Sequence, residues 1–200
     1  MDYLSYIKKV IKNANHPASP EDVHYKAACV FLLIFNKDEP EIVFILKSEN
    51  DGYPWSNQVA LPGGHIDEDD KTPIDAAYRE LHEELNIDRH QVEFISSMGH
   101  FQTINQRDIE VFTGIWDEKG AIKFDPYEIA EVIKVPIKNL VKTHKSNNYH
   151  EVRPDFLKTV YPAHDLDSRF DIWGVTARII YSFIELICPE TYKKGGVKTQ

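Results

Sequence analysis

Two cysteines in 200 residues, Cys29 and Cys188, are too few for a disulfide framework. Each sits in an apolar run, CVFLLIF and FIELICPE, so both are expected as buried free thiols in a reducing compartment. Long apolar runs are missing as well. The densest, AACVFLLIF, falls far short of the roughly 18 residues that a membrane span needs. The N-terminal stretch MDYLSYIKKVIKNANH has no apolar core of signal-peptide length. These absences lead to the expectation of a cytoplasmic protein with no membrane partner. Positive charge is in deficit: 23 Lys and Arg stand against 32 Asp and Glu, a net charge of −9. A nonspecific nucleic-acid binder needs a basic face, so nucleic acid is not an expected partner. Anionic small molecules stay open, because a divalent cation inverts the local sign. Repeats and low-complexity tracts are absent. The nine histidines show no metal-ligand spacing, and no Ser-His-Asp or Cys-His arrangement emerges.

What is present suits one globular domain. The apolar fraction is 42% and the aromatic fraction 12%, enough for a core in a chain of this length. Tyr3, Leu4, Ile7, Val10 and Ile11 recur at helical spacing, which predicts an amphipathic helix ending near Asn15. Strands are expected over Ala27–Phe35, Ile42–Lys47, Val92–His100, Ile109–Trp116 and Glu131–Val135. Helices are expected over Ile74–Leu85 and Ile172–Ile187, with a short one at Pro136–Val141 and a loop-like stretch over 142–155. Strands and helices alternate irregularly, which predicts an α/β or α+β domain with a mixed sheet. The expected division is an N-terminal helix and connection over 1–22, a main domain over 23–190, and a flexible tail over 191–200.

The informative segment is IDAAYRELHEEL, residues 74–85. At about 100° per residue, Ile74, Ala77, Tyr78, Leu81 and Leu85 share one face. Glu80, Glu83 and Glu84 fall at i, i+3 and i+4 beside that face. Such carboxylates repel one another by a few tenths of a kcal/mol per pair, and Arg79 is the one basic residue of the segment. A hard divalent cation relieves that repulsion through carboxylate oxygens. Pro62-Gly63-Gly64 precedes the helix and lets the backbone bend closely against whatever the helix holds. An EF-hand reading of Asp67, Asp69 and Asp70 fails, because Lys71, Thr72 and Tyr78 occupy the remaining diagnostic positions.

The segment from Gly64 to Ile87, GHIDEDDKTPIDAAYRELHEELNI, resembles the box of the Nudix hydrolases. Its Arg-Glu-apolar-any-Glu-Glu core is complete. Asp70 stands where a Glu is usual, the following spacer has eight residues rather than seven, and Asn86 replaces a Gly. The first two features resemble the coenzyme A pyrophosphatase-like subgroup. QVALPGG before the box and DIWGVTARII near the C-terminus are similar to the same subgroup. Lys47-Ser48 stands where that subgroup carries Arg-Ser.

The resemblance implies a mixed sheet sandwiched between helices, here with extra N-terminal and C-terminal helices. It implies a metal-dependent pyrophosphohydrolase that cleaves a nucleoside diphosphate linked to another group, coenzyme A-like or ADP-ribose-like, into two monophosphates. A nucleotide-binding module without turnover is the alternative. Glu80, Glu83 and Glu84 would hold Mg²⁺ or Mn²⁺, and Arg79 would orient carboxylates. The general base would be a box carboxylate, such as Glu83 or Glu84, or an acidic residue from another loop, Glu128 or Glu131. Gly63 and Gly64 would shape the substrate-binding turn. Family members are often homodimers. Outside the box, Tyr53 and Trp55 are candidates for stacking on a nucleobase. Lys47, Arg107 and Arg153 are candidate phosphate contacts. Trp173 is expected to pack in the core or against a helix rather than to stack on a base.

Overall fold

The computed structural model describes residues 2–21, 24–50, 55–145, 161–162 and 171–188. Helix α1 (Tyr3–Asn13) opens the chain, with the Asp2 side chain accepting from the Ser5 N–H at its start. Two long strands follow, β1 (Lys26–Phe35) and β2 (Glu41–Lys47), then two short ones, β3 (Val59–Ala60) and β4 (Gly63–His65). Helix α2 (Pro73–Leu85) comes next, then β5 (Val92–Gln102), β6 (Arg107–Trp116), β7 (Ile129–Pro136) and α3 (Ile137–Lys145). A small pair, β8 (Tyr161–Pro162) and β9 (Asp171–Ile172), precedes α4 (Gly174–Ile187).

The main sheet runs β3-β2-β1-β6-β5, with β4 added to β1 and β7 to β2. It is mixed: β1 and β6 are parallel from Lys26↔Arg107 to Ile34↔Ile115, and the other pairings are antiparallel. A parallel pair needs a crossover, and α2 lies within it. Alternation along β1 divides the core. Ala28, Leu32 and Ile34 face one side, against Leu4, Ile7 and Ile11 of α1 and Ile180, Phe183 and Ile184 of α4. Cys29, Phe31, Leu33 and Phe35 face the other side, against Ala76, Ala77, Leu81 and Leu85 of α2. The sheet is thus covered by helices on both faces.

Helix α2 is fixed at both ends by local chemistry. The Thr72 hydroxyl accepts from the Asp75 N–H, and Pro73 occupies the first turn, where its missing N–H is no loss. Asn86 adopts the left-handed conformation, φ 56°, and its N–H returns to the His82 carbonyl.

Some expectations need correction. The first helix stops at Asn13, and Lys142–Lys145, expected in a loop, complete α3. Ile172 belongs to β9, so the last helix starts at Gly174. Trp173 caps the start of α4 and is 38% exposed, so of its two expected settings the buried core is excluded. Cys29 is fully buried, but Cys188 is only half-buried at the end of α4. Among the described residues no helix is long and apolar enough to cross a membrane. The tail expected over 191–200, Tyr53 and Arg153 lie outside the described residues.

Candidate active site

The site is built where β4 is pressed between β1 and α2. Gly63 has φ +141°, and a Cβ there would overlap the Cys29 carbonyl, so no side chain fits. A Cβ on Gly64 would overlap the whole carboxyl group of Glu80. The two glycines therefore bring backbone directly onto the acidic face of α2.

Arg79 organises that face. Its Nε donates to Asp70 Oδ1 at 3.2 Å and its Nη2 to Asp70 Oδ2 at 2.9 Å. Nη1 donates to Glu80 at 3.1 Å and to Glu83 at 3.0 Å. Nη2 also reaches the His65 carbonyl at 3.0 Å and forms an ion pair with Asp67. One planar fork so joins the Gly-Gly strand, the acidic loop and the helix. Asp70 also accepts from the Asp67 N–H, which closes the loop on itself. The Arg79 hydrogen bond, helped by that N–H, holds the Asp70 carboxyl below its ordinary range.

Glu84 is the buried member, with a side chain 2% exposed. Burial pushes its carboxyl up to about 7, against the opposing pull of Lys47 and the Gly63 N–H. Lys47 Nζ donates to Glu84 Oε1 at 2.6 Å, and Gly63 N–H donates to Oε2 at 2.8 Å. Lys47 also reaches Glu128 Oε1 at 3.2 Å. Burial alone would lower the Lys47 ammonium, but pairing with Glu84 and Glu128 outweighs it and the net direction is upward. Burial likewise raises Glu80, whereas the side chain of Glu83 is 56% exposed.

The structure separates the two acidic residues proposed from the loop before β7. Leu46 pairs with Glu131 and Lys47 with Ile129, so a bulge at Ala130 interrupts the register. Leu46 packs in the core under α4, and its cross-strand partner Glu131 shares that face. Lys47 points to the α2 side, where Glu128 meets it. Trp55 is half-buried beside Arg107 and away from α2.

The donor set has the chemistry of a divalent-cation site. Six carboxylates, Asp67, Asp70, Glu80, Glu83, Glu84 and Glu128, share two cations, Arg79 and Lys47. Negative charge is in excess, and all the donors are hard oxygens. Glu80 and Glu83 both reach a single positive centre, Arg79 Nη1, within 3.1 Å. The residues fit the ion. With the two side-chain cations spread among them, no three His, Cys, Asp or Glu groups converge as ligands among the described residues. Sequence reasoning missed the Lys47–Glu84 pair and the part played by Asp67. The first depends on the packing of α2 against β2, and the second on the fold of the loop that precedes α2.

Residues 24–158 match the NUDIX domain family. The chain is 27% identical over 189 residues to "Nudix hydrolase 22, chloroplastic" of Arabidopsis thaliana, covering 90% of this chain and 63% of that protein. A second Arabidopsis relative, "Nudix hydrolase 15, mitochondrial", is 28% identical, and the match covers 58% of its length. The chain therefore spans about three fifths of these plant proteins. It is 25% identical over 182 residues to the uncharacterized Nudix hydrolase NudL of Escherichia coli K12, with 90% of each covered. Among solved structures, DR0079 from Deinococcus radiodurans shares the fold, with a TM-score of 0.52 at 14% identity over 82% of this chain and 86% of that one. With residues 24–158 matched and the carboxylate helix seated on its Gly-Gly strand, the chain belongs to the Nudix family.

Proposed function

We propose that this chain is a metal-dependent pyrophosphohydrolase acting on a nucleoside diphosphate linked to a second group, of the coenzyme A or ADP-ribose kind. One observation carries the reading: backbone at Gly64 lies directly on Glu80, within an acidic face that holds more carboxylates than cations. Glu80, Glu83 and Glu84 would hold Mg²⁺ or Mn²⁺. When bound, the ion supplies charge neutralisation for the pyrophosphate and lowers the pKa of a water molecule.

The chain's own residues do the rest. Arg79 fixes Glu80 and Glu83 through one guanidinium nitrogen and ties them to the loop through Asp70. The Gly63 N–H and Lys47 use both oxygens of Glu84, so Glu84 is a positioned ligand rather than a free proton acceptor. Glu128 is 55% exposed, and only its Oε1 is engaged among the described residues. That leaves Oε2 without a partner among the described residues, so Glu128 is the general base in this reading. Glu131 has no part in it, because it lies on the other face of the sheet.

A turnover panel tests the reading. Coenzyme A, ADP-ribose, NADH and a nucleotide sugar would be offered with Mg²⁺ and, separately, Mn²⁺, and products resolved by chromatography. The expected result is two monophosphates from at least one compound, lost with chelator and lost in Glu84→Gln. Folded, metal-loaded protein that cleaves none of them would favour a binding module without turnover.

A further inference from the structure

The face of β4 turned away from Glu80 carries a second cluster. Lys26 pairs with Arg107 across β1 and β6, and Ala28 pairs with His65 across β1 and β4. Strand alternation then places the side chains of Lys26, His65 and Arg107 on one face, at one end of the sheet. Arg107 Nη1 is hydrogen-bonded to His65 Nε2. The Arg107 guanidinium also lies over the Trp55 ring, 5.4 Å from its centroid. Burial, together with the Arg107 charge, holds the His65 imidazole below its ordinary value, so it is neutral at pH 7 and accepts from Arg107.

No carboxylate among the described residues forms an ion pair with this cluster. Among the described residues neither Lys26 nor Arg107 pairs with a carboxylate, and the other N–H groups of the Arg107 fork meet no acceptor. The surplus stands in a chain of net charge −9. Like charges directly opposed across two strands destabilise the pair, so the arrangement is a burden to the fold unless an anion joins it. His65 links the cluster to the acidic helix. Its carbonyl accepts from Arg79, while its ring meets Arg107.

We propose that Lys26, His65, Arg107 and Trp55 form a subsite for a phosphomonoester that the substrate carries outside its scissile pyrophosphate. A forked guanidinium matches two phosphate oxygens, Trp55 holds its plane, and Lys26 supplies the second charge that a dianion calls for. The placement of this subsite rests on the hydrolase reading above, but the test does not need turnover.

The test is calorimetric titration of the full chain, in Mg²⁺, with 5′-AMP and with adenosine 2′,5′- and 3′,5′-bisphosphate, none of which contains a pyrophosphate. One bisphosphate is expected to bind at least about tenfold more tightly than AMP, the usual effect of a charged hydrogen bond. Arg107→Gln should erase that preference and leave AMP binding unchanged, and Arg107→Lys should keep part of it. Equal affinities in the unaltered protein would overturn the proposal. So would an Arg107→Gln variant that binds AMP and bisphosphate more weakly by the same factor, since Arg107 would then touch a shared part of the nucleotide. If the bisphosphate preference is present and the turnover panel is silent, the hydrolase reading fails and the subsite stands.

Discussion

Arg79 meets Asp70 as two parallel prongs, Nε to Oδ1 and Nη2 to Oδ2, at 3.2 and 2.9 Å. This pair locks the acidic loop to the carboxylate helix. It leaves the remaining nitrogen, Nη1, to hold Glu80 and Glu83. Lysine cannot reproduce the fork. Arg79→Lys is expected to lower kcat/KM by about 100-fold, the scale seen when one preorganised charged donor is lost. Its circular dichroism should match that of the unaltered protein.

The same pair sets the acid limb of stability. The Asp70 carboxyl is held below its ordinary value in the folded chain. Its contribution is therefore complete above the unfolded value, near 3.9, and disappears as pH falls through the folded value. Urea midpoints measured from pH 6 to pH 3 should drop for the unaltered protein. In Asp70→Asn the drop should be shallower. Identical slopes would remove Asp70 from the account.

Gly63 and Gly64 make opposite predictions. A methyl group at Gly63 meets rigid backbone at Cys29 and Val30, with φ at +141°, so Gly63→Ala should destabilise by roughly 2–4 kcal/mol in urea unfolding. A methyl group at Gly64 meets only the flexible end of Glu80. Gly64→Ala should leave the urea midpoint nearly unchanged while displacing Glu80, and Mn²⁺ titration should then show weakened binding.

Lys47 and Glu84 form the buried pair of the site, with side chains 10% and 2% exposed. Removing Lys47 leaves a buried carboxylate with a single N–H partner, and burial already carries Glu84 up to about 7. In Lys47→Met that value rises further. The penalty of a raised carboxyl is absent below the unfolded value, grows with pH between the unfolded and folded values, and is constant above the folded one. In chelator, the stability gap between Lys47→Met and the unaltered protein should widen by about 1 kcal/mol between pH 5 and pH 8, measured by urea unfolding.

Glu128 and Glu131 lie three residues apart, yet only Glu128 faces Lys47. Glu128→Gln should reduce kcat by about 100-fold or more with little change in KM. Glu131→Gln should leave kcat within about twofold. Both carboxylates are exposed, so neither change should alter the unfolding free energy in urea by more than about 0.5 kcal/mol. Comparable losses of kcat in the two variants would refute the assignment of the base.

What could be read from the sequence follows the range of the forces involved. The apolar stripe Ile74, Ala77, Tyr78, Leu81 and Leu85, the trio Glu80, Glu83 and Glu84, and the Asn86 cap all depend on neighbours within one or two turns. Chain order alone therefore reveals them. The pairing of β1 with β6 and the bulge at Ala130 depend on contacts between distant segments. The pairing of Leu46 with Glu131 and the contact of Lys47 with Glu128, which tell the two carboxylates apart, are contacts of that kind. Lys47 looked like a phosphate contact because its charge was visible and its burial against Glu84 was not. The Trp55–Arg107–His65 cluster comes from three segments, and no spacing rule joins them.

The proposed hydrolysis requires a divalent cation on the acidic face of α2. Electron paramagnetic resonance titration of Mn²⁺ measures this directly, in the unaltered protein and in Glu83→Gln and Glu84→Gln. Saturable binding by the unaltered chain is expected, with an affinity at least about tenfold weaker in each variant and folding intact. Binding that is absent from the unaltered chain, or equal in all three proteins, would contradict the proposed metal site.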